Sequence, residues 1–157
     1  MDFDLTRVAA LVAVLGIAVV YGTDVFCAIV LRPALASVSD DALVAVTGSV
    51  HRYGDRRMPV PGALGIFAAA VGTVLAAVTA HWTQAIAAGA ALLLLSIWLV
   101  LYARVSQPIN RQLTAAADAG VSLPNGRVLQ AKWDQIVNAR AMLQGLALAA
   151  MCVVLMS

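Results

Sequence analysis

The chain alternates between four long apolar runs and more polar connections. Each apolar run is close to the ~20 residues that a helix needs to cross the hydrocarbon core of a bilayer. The first run is interrupted near its end by Tyr21, Thr23 and Asp24, and it is preceded by one Arg beside two Asp rather than by the basic flank of a cleaved signal peptide. We therefore predict four retained membrane-spanning helices, at about residues 5–31, 60–80, 84–104 and 139–156.

The first long connection, residues 32–59, carries the pattern of an amphipathic helix. Ser37 and Asp40 can form the capping box that would begin this helix. We expect the helix to lie against the membrane surface or against the end of the helix bundle. Gly54 is a candidate for its carboxyl end, and only a helix that continues past Gly54 keeps Asp55 in line with the other polar positions. The apolar positions are Leu43, Val46, Val50 and Tyr53, and the polar positions are Thr47, His51 and Asp55.

The second long connection, residues 105–138, predicts a short helix, a turn and the start of a longer helix. Pro108 suits a first helical turn, Gly120 suits a carboxyl cap, and the stretch SLPNGR is typical of a turn. From about Arg127 we expect one helix that continues unbroken into the fourth span. A single stripe along it carries an aromatic ring, a cation and an amide, and its members are Leu129, Trp133, Val137, Arg140 and Gln144.

The composition places these helices in a membrane rather than in a soluble core. Of the 157 residues, 62% are hydrophobic and 11% are charged, whereas a soluble domain carries about 25% charged residues. The net charge is +2, but the basic residues flank apolar runs and form no separate patch, so we expect no nucleic-acid partner. The sequence has no CxxC motif and no Cys/His ligand spacing, so we expect no metal site. The expected partner is the lipid bilayer.

The basic residues also predict an orientation. Nine of the ten Lys and Arg residues lie in or beside the two long connections, and the turn HWTQ at residues 81–84 has none. Because cytoplasmic loops concentrate Lys and Arg, we expect both long connections in the cytoplasm and both termini outside it. The protein is then an integral protein of a bacterial inner membrane.

Small residues recur at four-residue spacing within the spans, as in Gly65 and Ala69 or Gly145 and Ala149. This spacing lets helix backbones approach closely and also suits a homo-oligomer. We therefore predict an all-α fold and a single membrane domain over residues 1–157. This domain is an integral membrane four-helix bundle with amphipathic interfacial helices in its two long cytoplasmic loops.

Asp24 lies inside the first span, roughly 10 Å from its basic end at the 1.5 Å rise of a helix. An ionisable group at that depth is costly unless it is paired, and it normally faces the interior of the bundle. Two interpretations stay open. The carboxylate forms a structural ion pair with Arg32, Arg56 or Arg140, or it accepts a proton or binds a substrate.

His51 is the histidine on the predicted cytoplasmic side. It is either an interfacial surface residue or a general base, a role that suits the pKa range of imidazole. Buried amides such as Asn110 and Asn138 need partners, so they bond each other or line a cavity. Several polar and aromatic residues map to the same end of the bundle, where they predict a pocket with an apolar floor and a polar rim. They are Tyr21, Asp24, His51, Arg56, Arg57, Asn110, Trp133, Asn138 and Arg140.

Short motifs in this chain, RPAL, HRYGDRRMP, QPINRQL and a W…R pair leading into the last helix, resemble the small four-helix membrane proteins of the DUF1772 group. That group includes the anthrone oxygenases of polyketide pathways. The resemblance extends over most of the chain. In the last signature the group has W-x-x-x-H-x-x-R, whereas WDQIVNAR here has Val137 at the histidine position. If that histidine is catalytic in the group, this protein relies on His51 or has a different activity.

The resemblance implies an oxygenase that uses O2 to convert a flat, apolar anthrone-type phenol into a quinone, without a metal or flavin. A base would remove a proton, and cations and amides such as Asn110 would stabilise the resulting enolate as oxyanion donors do. Trp133 would stack on the rings. A haem with His51 as its axial ligand is a variant of this interpretation. The implied catalytic residues are Asp24, His51, Arg56 and Arg140, and the implied substrate-binding residues are Tyr21, Arg57, Asn110, Trp133 and Asn138.

Two other classes of function stay open. A non-enzymatic small subunit that packs against a larger membrane complex would have all its buried polar groups paired internally. A transporter or channel protomer would need a polar path across the membrane, but the second and third apolar runs have almost no polar residues at their centres.

Overall fold

A computed structural model describes residues 4–157, and this part of the chain is helical throughout apart from short turns. The all-α prediction is confirmed. The elements in chain order are α1 (Leu5–Phe26), a first π-helical segment (Cys27–Leu31), α2 (Arg32–Ala36), α3 (Asp40–Arg57), α4 (Pro59–Val78), α5 (Trp82–Leu101), a second π-helical segment (Tyr102–Ser106), α6 (Gln107–Ala119) and α7 (Gly126–Met156).

Four helical stretches are long and apolar enough to cross a membrane. They are α1 continued into α2, α4, α5 continued into α6, and α7. The predicted number of spans is therefore confirmed. The helices of the first and third stretches extend beyond the predicted spans into the predicted loops, to Ala36 and Ala119.

Both extensions begin where a π-helical segment precedes a proline. Pro33 and Pro108 occupy the first turns of α2 and α6, directly after the two π-helical segments. A proline lacks a backbone N–H, and its ring collides with the carbonyl of the residue four positions earlier in an α-helix. In a π-helical turn the hydrogen bonds connect residues five apart, and such turns are often inserted into longer α-helices. The wider turn therefore accommodates the proline, and the helix continues.

The described residues divide into two compact units. The first unit comprises residues 4–22, 60–98 and 142–157. It is a four-helix bundle whose core is built from small and medium apolar side chains on α1, α4, α5 and α7. A Cβ on Gly16 would lie 2.7 Å from the carbonyl oxygen of Pro61, so the absence of a side chain lets α1 and α4 approach closely. The core residues are Ala10, Ala13, Ile17, Ala68, Ala69, Ala88, Ala91, Leu95, Ala147, Met151 and Val154.

The second unit comprises residues 23–59 and 99–141 and has its own core. Here α3 packs closely on α6, because a Cβ on Gly48 would collide with the carbonyl of Leu113 and with Ala117. The Thr114 hydroxyl donates a hydrogen bond to the Gly48 carbonyl oxygen at 3.1 Å across the same contact. The core residues are Cys27, Leu35, Leu43, Val44, Ile109, Leu113, Ala116, Leu129, Trp133 and Val137.

Helix α3 differs from its prediction in its start, and its predicted polar face is the one that packs in the second unit. Its cap is Ser39, whose hydroxyl accepts a hydrogen bond from the Ala42 backbone N–H, and not Ser37. The helix continues past Gly54 to Arg57, so Asp55 stays in line with the polar positions. Of the predicted apolar positions only Leu43 is buried, whereas the predicted polar positions Thr47 and His51 are both buried; Val46, Val50 and Tyr53 are exposed.

The second connection follows its prediction more closely. Pro108 lies in the first turn of α6, and Gly120 ends that helix with a left-handed backbone, φ 63°. Helix α7 begins at Gly126, within one residue of the expected start, and continues unbroken to Met156. All five members of its predicted stripe, Leu129, Trp133, Val137, Arg140 and Gln144, are buried.

Candidate functional site: a buried polar cluster

The second unit contains a cluster of polar and aromatic side chains that we call the polar cluster. Helices α1, α3, α6 and α7 and the second π-helical segment each contribute at least one member. Most members are buried, although the unit is otherwise filled with apolar side chains. The members are Asp24, His51, Asp55, Tyr102, Ser106, Asn110, Trp133 and Arg140.

Arg140 forms a buried ion pair with Asp24. One Nη of the guanidinium donates to Asp24 Oδ1 at 2.8 Å, and the other donates to the Ser106 hydroxyl at 2.7 Å. The side chains of Arg140 and Asp24 are only 6% and 4% exposed. Removing one partner of such a pair typically costs about 3–5 kcal/mol, because the other charge is left buried and uncompensated. The structural ion pair anticipated for Asp24 is therefore present, and Arg140 is its partner.

Two aromatic rings flank the Arg140 guanidinium. Its Cζ lies 5.7 Å from the centre of the Tyr102 ring and 5.4 Å from the centre of the Trp133 ring. A cation within about 6 Å of an aromatic face is attracted to the ring, and more strongly when both are desolvated. The rings and the ion pair together fix the position of this cation.

Asp55 joins α3 to the second π-helical segment and to α6. Its Oδ1 accepts a hydrogen bond from the Tyr102 hydroxyl at 2.9 Å and another from Asn110 Nδ2 at 2.9 Å. Asn110 is only 4% exposed, so this carboxylate satisfies the donor side of a buried amide.

His51 lies beside Trp133, with 5.6 Å between the ring centres and 48° between the ring planes. The imidazole is buried. Burial lowers the pKa of His51 from 6.5 to about 4, an effect that Asp55 opposes and Arg140 reinforces. His51 is therefore neutral at physiological pH, and a neutral imidazole can accept a proton.

Four buried polar atoms in the polar cluster have no hydrogen-bond partner among residues 4–157. Leaving one such atom unpaired typically costs about 1–3 kcal/mol, so several on neighbouring side chains call for a ligand or ordered water. Two of them are donors on Trp133 and Arg140, one is an acceptor on Asn110, and the imidazole nitrogen of His51 can act in either role. The atoms are His51 Nε2, Asn110 Oδ1, Trp133 Nε1 and Arg140 Nε.

The structure does not bring every predicted site residue into the polar cluster. Arg56 and Arg57 are exposed at the end of α3, where the Arg57 guanidinium lies 5.2 Å from the Tyr53 ring centre. Asn138 is exposed on α7. Tyr21 belongs to the first unit, in which it packs against Gly145.

Three members of the polar cluster were not among the predicted site residues. Asp55 had a signal in the sequence, since it follows His51 by four positions on the polar face of α3. Tyr102 has the pattern of an interfacial aromatic residue at the end of a span, and Ser106 has no signal of its own. Both lie in the second π-helical segment, which the sequence pattern does not reveal.

No group of three or more His, Cys, Asp or Glu side chains within residues 4–157 is placed to hold a metal ion. Comparison of the chain with protein-family models, with curated proteins and with solved structures found no match.

Proposed function

We propose that this protein is an integral membrane enzyme of the anthrone oxygenase type, which deprotonates a flat, apolar polycyclic phenol so that O2 can oxidise it. The observation that supports this most directly is the buried, neutral His51, whose Nε2 has no hydrogen-bond partner within residues 4–157. A free imidazole nitrogen beside an aromatic ring and a fixed cation suits the removal of an acidic carbon-bound proton. The motif resemblance to the DUF1772 group points to the same chemistry.

The reaction balances without a further reductant or cofactor. The substrate carbon between the two rings loses both of its hydrogens and gains one oxygen atom from O2. The second oxygen atom leaves with those two hydrogens as water. The carbon gives up four electrons in this change, and O2 accepts four.

We assign a separate role in the reaction to each of several residues of the polar cluster. His51 Nε2 is the assigned proton acceptor, because the imidazole is neutral at physiological pH and this nitrogen has no partner within residues 4–157. The enolate that forms is an anion, and Arg140 Nε–H and Trp133 Nε1–H are the donors assigned to its oxygen. Asp24 is engaged with Arg140, so we assign it to holding the cation rather than to accepting the proton. The exposed Arg56, Arg57 and Asn138, together with Tyr21, receive no role in this scheme.

The proposal is tested with the purified protein in lipid nanodiscs, anthrone and O2, by following O2 consumption and the absorbance of anthraquinone. We expect turnover well above the spontaneous oxidation of anthrone. Replacing His51 by Gln, which cannot accept the proton, should lower kcat/KM by about 100-fold or more. The matched control is His81→Gln, because His81 is exposed in the turn before α5. Wild-type protein that gives no rate above the spontaneous reaction, or a His51→Gln variant with unchanged turnover, would refute the proposal.

The Asp24–Arg140 ion pair favours a second candidate, a non-enzymatic small subunit of a larger membrane complex. In that case the pair is purely structural, since its two charges already satisfy each other. Stable co-purification with a larger membrane partner, combined with no turnover of any anthrone, would support this alternative.

We further propose that the protein is an integral protein of a bacterial inner membrane with both long connections in the cytoplasm. Its apolar aromatic substrate would then reach it from the lipid. A homo-oligomer is compatible with the small residues in its spans.

A further inference from the structure

Asp55 determines which side of the Asn110 amide is available to a ligand. We infer that Asp55 is a positioning residue that turns Asn110 into a hydrogen-bond acceptor and so makes the site selective for a substrate with a free hydroxyl group. This inference rests on the proposed function. It also reverses the role expected for Asn110 from the sequence, where the amide was assigned as a donor to the enolate.

The first step concerns Asp55 itself. An ionised carboxylate accepts hydrogen bonds and cannot donate them. Asp55 Oδ1 already accepts from the Tyr102 hydroxyl at 2.9 Å, and it lies 2.9 Å from the amide nitrogen of Asn110. The Asn110 side chain must therefore present its NH2 group to Asp55, because the opposite orientation would bring two acceptor oxygens together. The orientation of this amide therefore follows from the need to place a donor opposite an acceptor, and not only from the atomic positions.

The second step concerns the other end of the amide. With its NH2 group directed to Asp55, Asn110 presents Oδ1 on the opposite side. This oxygen is buried and has no partner among residues 4–157, and the residue as a whole is 4% exposed. A carbonyl oxygen with that orientation repels an enolate oxygen and attracts a hydroxyl donor.

The third step combines the acceptor with the donors of the polar cluster. Trp133 Nε1 and Arg140 Nε can only donate, whereas Asn110 Oδ1 can only accept. A ligand that satisfies all three atoms must offer an acceptor oxygen to the two donors and a hydrogen-bond donor, such as a hydroxyl group, to Asn110 Oδ1. A hydroxylated polycyclic ketone has both, whereas the same ketone with its hydroxyl methylated leaves Asn110 Oδ1 buried and unpaired. The penalty for such an unpaired atom is the source of the selectivity.

The test measures binding rather than turnover. Wild-type protein in nanodiscs is titrated at about pH 6 with 2-hydroxyanthraquinone and, separately, with 2-methoxyanthraquinone, and binding is followed by quenching of tryptophan fluorescence. We expect the hydroxyl compound to bind about tenfold more tightly, the ratio that one hydrogen bond of ordinary strength provides.

The decisive variant is Asp55→Leu, which is close to isosteric and removes the oxygen that accepts from Asn110 Nδ2. Nothing then holds the NH2 group of Asn110 on that side, so the amide can turn and the ratio of the two dissociation constants should fall to about 1. Asn110→Leu removes the acceptor and should have the same effect. The matched control is Asp41→Leu, an exposed position on the same helix, which should keep the wild-type ratio. A purely structural role of Asp55 would weaken both ligands equally and leave the ratio unchanged.

The possible failures are distinguishable. If the wild type binds both compounds equally, or if Asp55→Leu and Asn110→Leu both retain the tenfold ratio, the inference about Asp55 is wrong while the proposed function stands. If neither compound binds to the wild type, the proposed substrate class is wrong, and the inference falls with it.

Discussion

At the scale of single residues, the surroundings of Arg140 bear on the proposed function. Its guanidinium has a carboxylate, a hydroxyl and two aromatic rings around it, yet its Nε has no partner within residues 4–157. A buried ion pair adds little net stability compared with an apolar core of the same volume. The same arrangement keeps a positive charge and an N–H donor in a desolvated place, where a developing anion benefits most. The unpaired Nε–H, rather than the ion pair itself, therefore supports the proposed function of this cation.

The burial of His51 predicts that the protein loses stability in mild acid. In the unfolded chain histidine titrates near 6.5, whereas in the folded protein the pKa of His51 is about 4. Between these values the unfolded state binds more protons, so the free energy of unfolding falls as the pH falls. From pH 7 to pH 5 the loss from this one group is about 2 kcal/mol. Thermal unfolding in detergent at the two pH values measures it.

The comparison variants for this experiment are His51→Gln and His81→Gln. The first removes the buried titrating group, so its midpoint should depend less on pH than that of the wild type. The second removes the exposed histidine, and its pH dependence should match that of the wild type. Equal pH dependence in all three proteins would show that His51 is not titrating from a buried site.

The same scale shows why the sequence predicts only part of the site. The positions of Asp24, His51 and Arg140 follow from an unusual depth or from a helical stripe, and all three are buried in the polar cluster. Asn138 precedes Arg140 by only two positions, but two steps along a helix turn a side chain by about 200°, so it is exposed. Whether a residue belongs to the site depends on which face its helix turns towards the neighbouring helices. A single sequence does not show how each helix is rotated about its axis.

At the scale of elements, α3 shows the limit of reading burial from hydrophobicity. Its valines and Tyr53 suggest an apolar face, yet the face that packs in the second unit includes Thr47, Gly48 and His51. The close approach of α3 to α6 explains this choice. Only a residue without a side chain fits opposite the Leu113 carbonyl, so Gly48 fixes the contact face and the larger apolar residues point elsewhere.

This contact predicts opposite effects for two glycines of the same helix. In Gly48→Ala the new methyl group collides with the Leu113 backbone, so we expect a loss of about 1–3 kcal/mol and a lower Tm. In Gly54→Ala the methyl group meets open space, and the higher helix propensity of alanine should stabilise α3 by up to about 1 kcal/mol. Thermal unfolding of the two variants in the same detergent measures both effects. A Gly48→Ala variant as stable as the wild type would contradict the close α3–α6 contact.

At the scale of the whole molecule, the composition and the lengths of the apolar runs are enough to predict four spans in an all-α protein, and the structure has them. What they do not predict is the extent of helix beyond the spans. Most of the residues expected in loops belong to α2, α3, α6 and the first part of α7, and these form a second unit with its own apolar core. The runs end where hydropathy changes, but the helices end where hydrogen bonding and capping allow.

The orientation of the chain is the prediction that belongs to the whole molecule, and cysteine labelling tests it. In a background with Cys27→Ala and Cys152→Ala, single cysteines are placed at His81 and at Asn125, which are both exposed in turns. Because the turn at residues 81–84 has no Lys or Arg and the long connections have nearly all of them, a membrane-impermeant maleimide added to spheroplasts should label His81→Cys and not Asn125→Cys. Both variants should become labelled once the membrane is permeabilised, which controls for access to the thiol. Labelling of Asn125→Cys alone in intact spheroplasts would place the long connections outside the cytoplasm, and the predicted orientation would then be wrong.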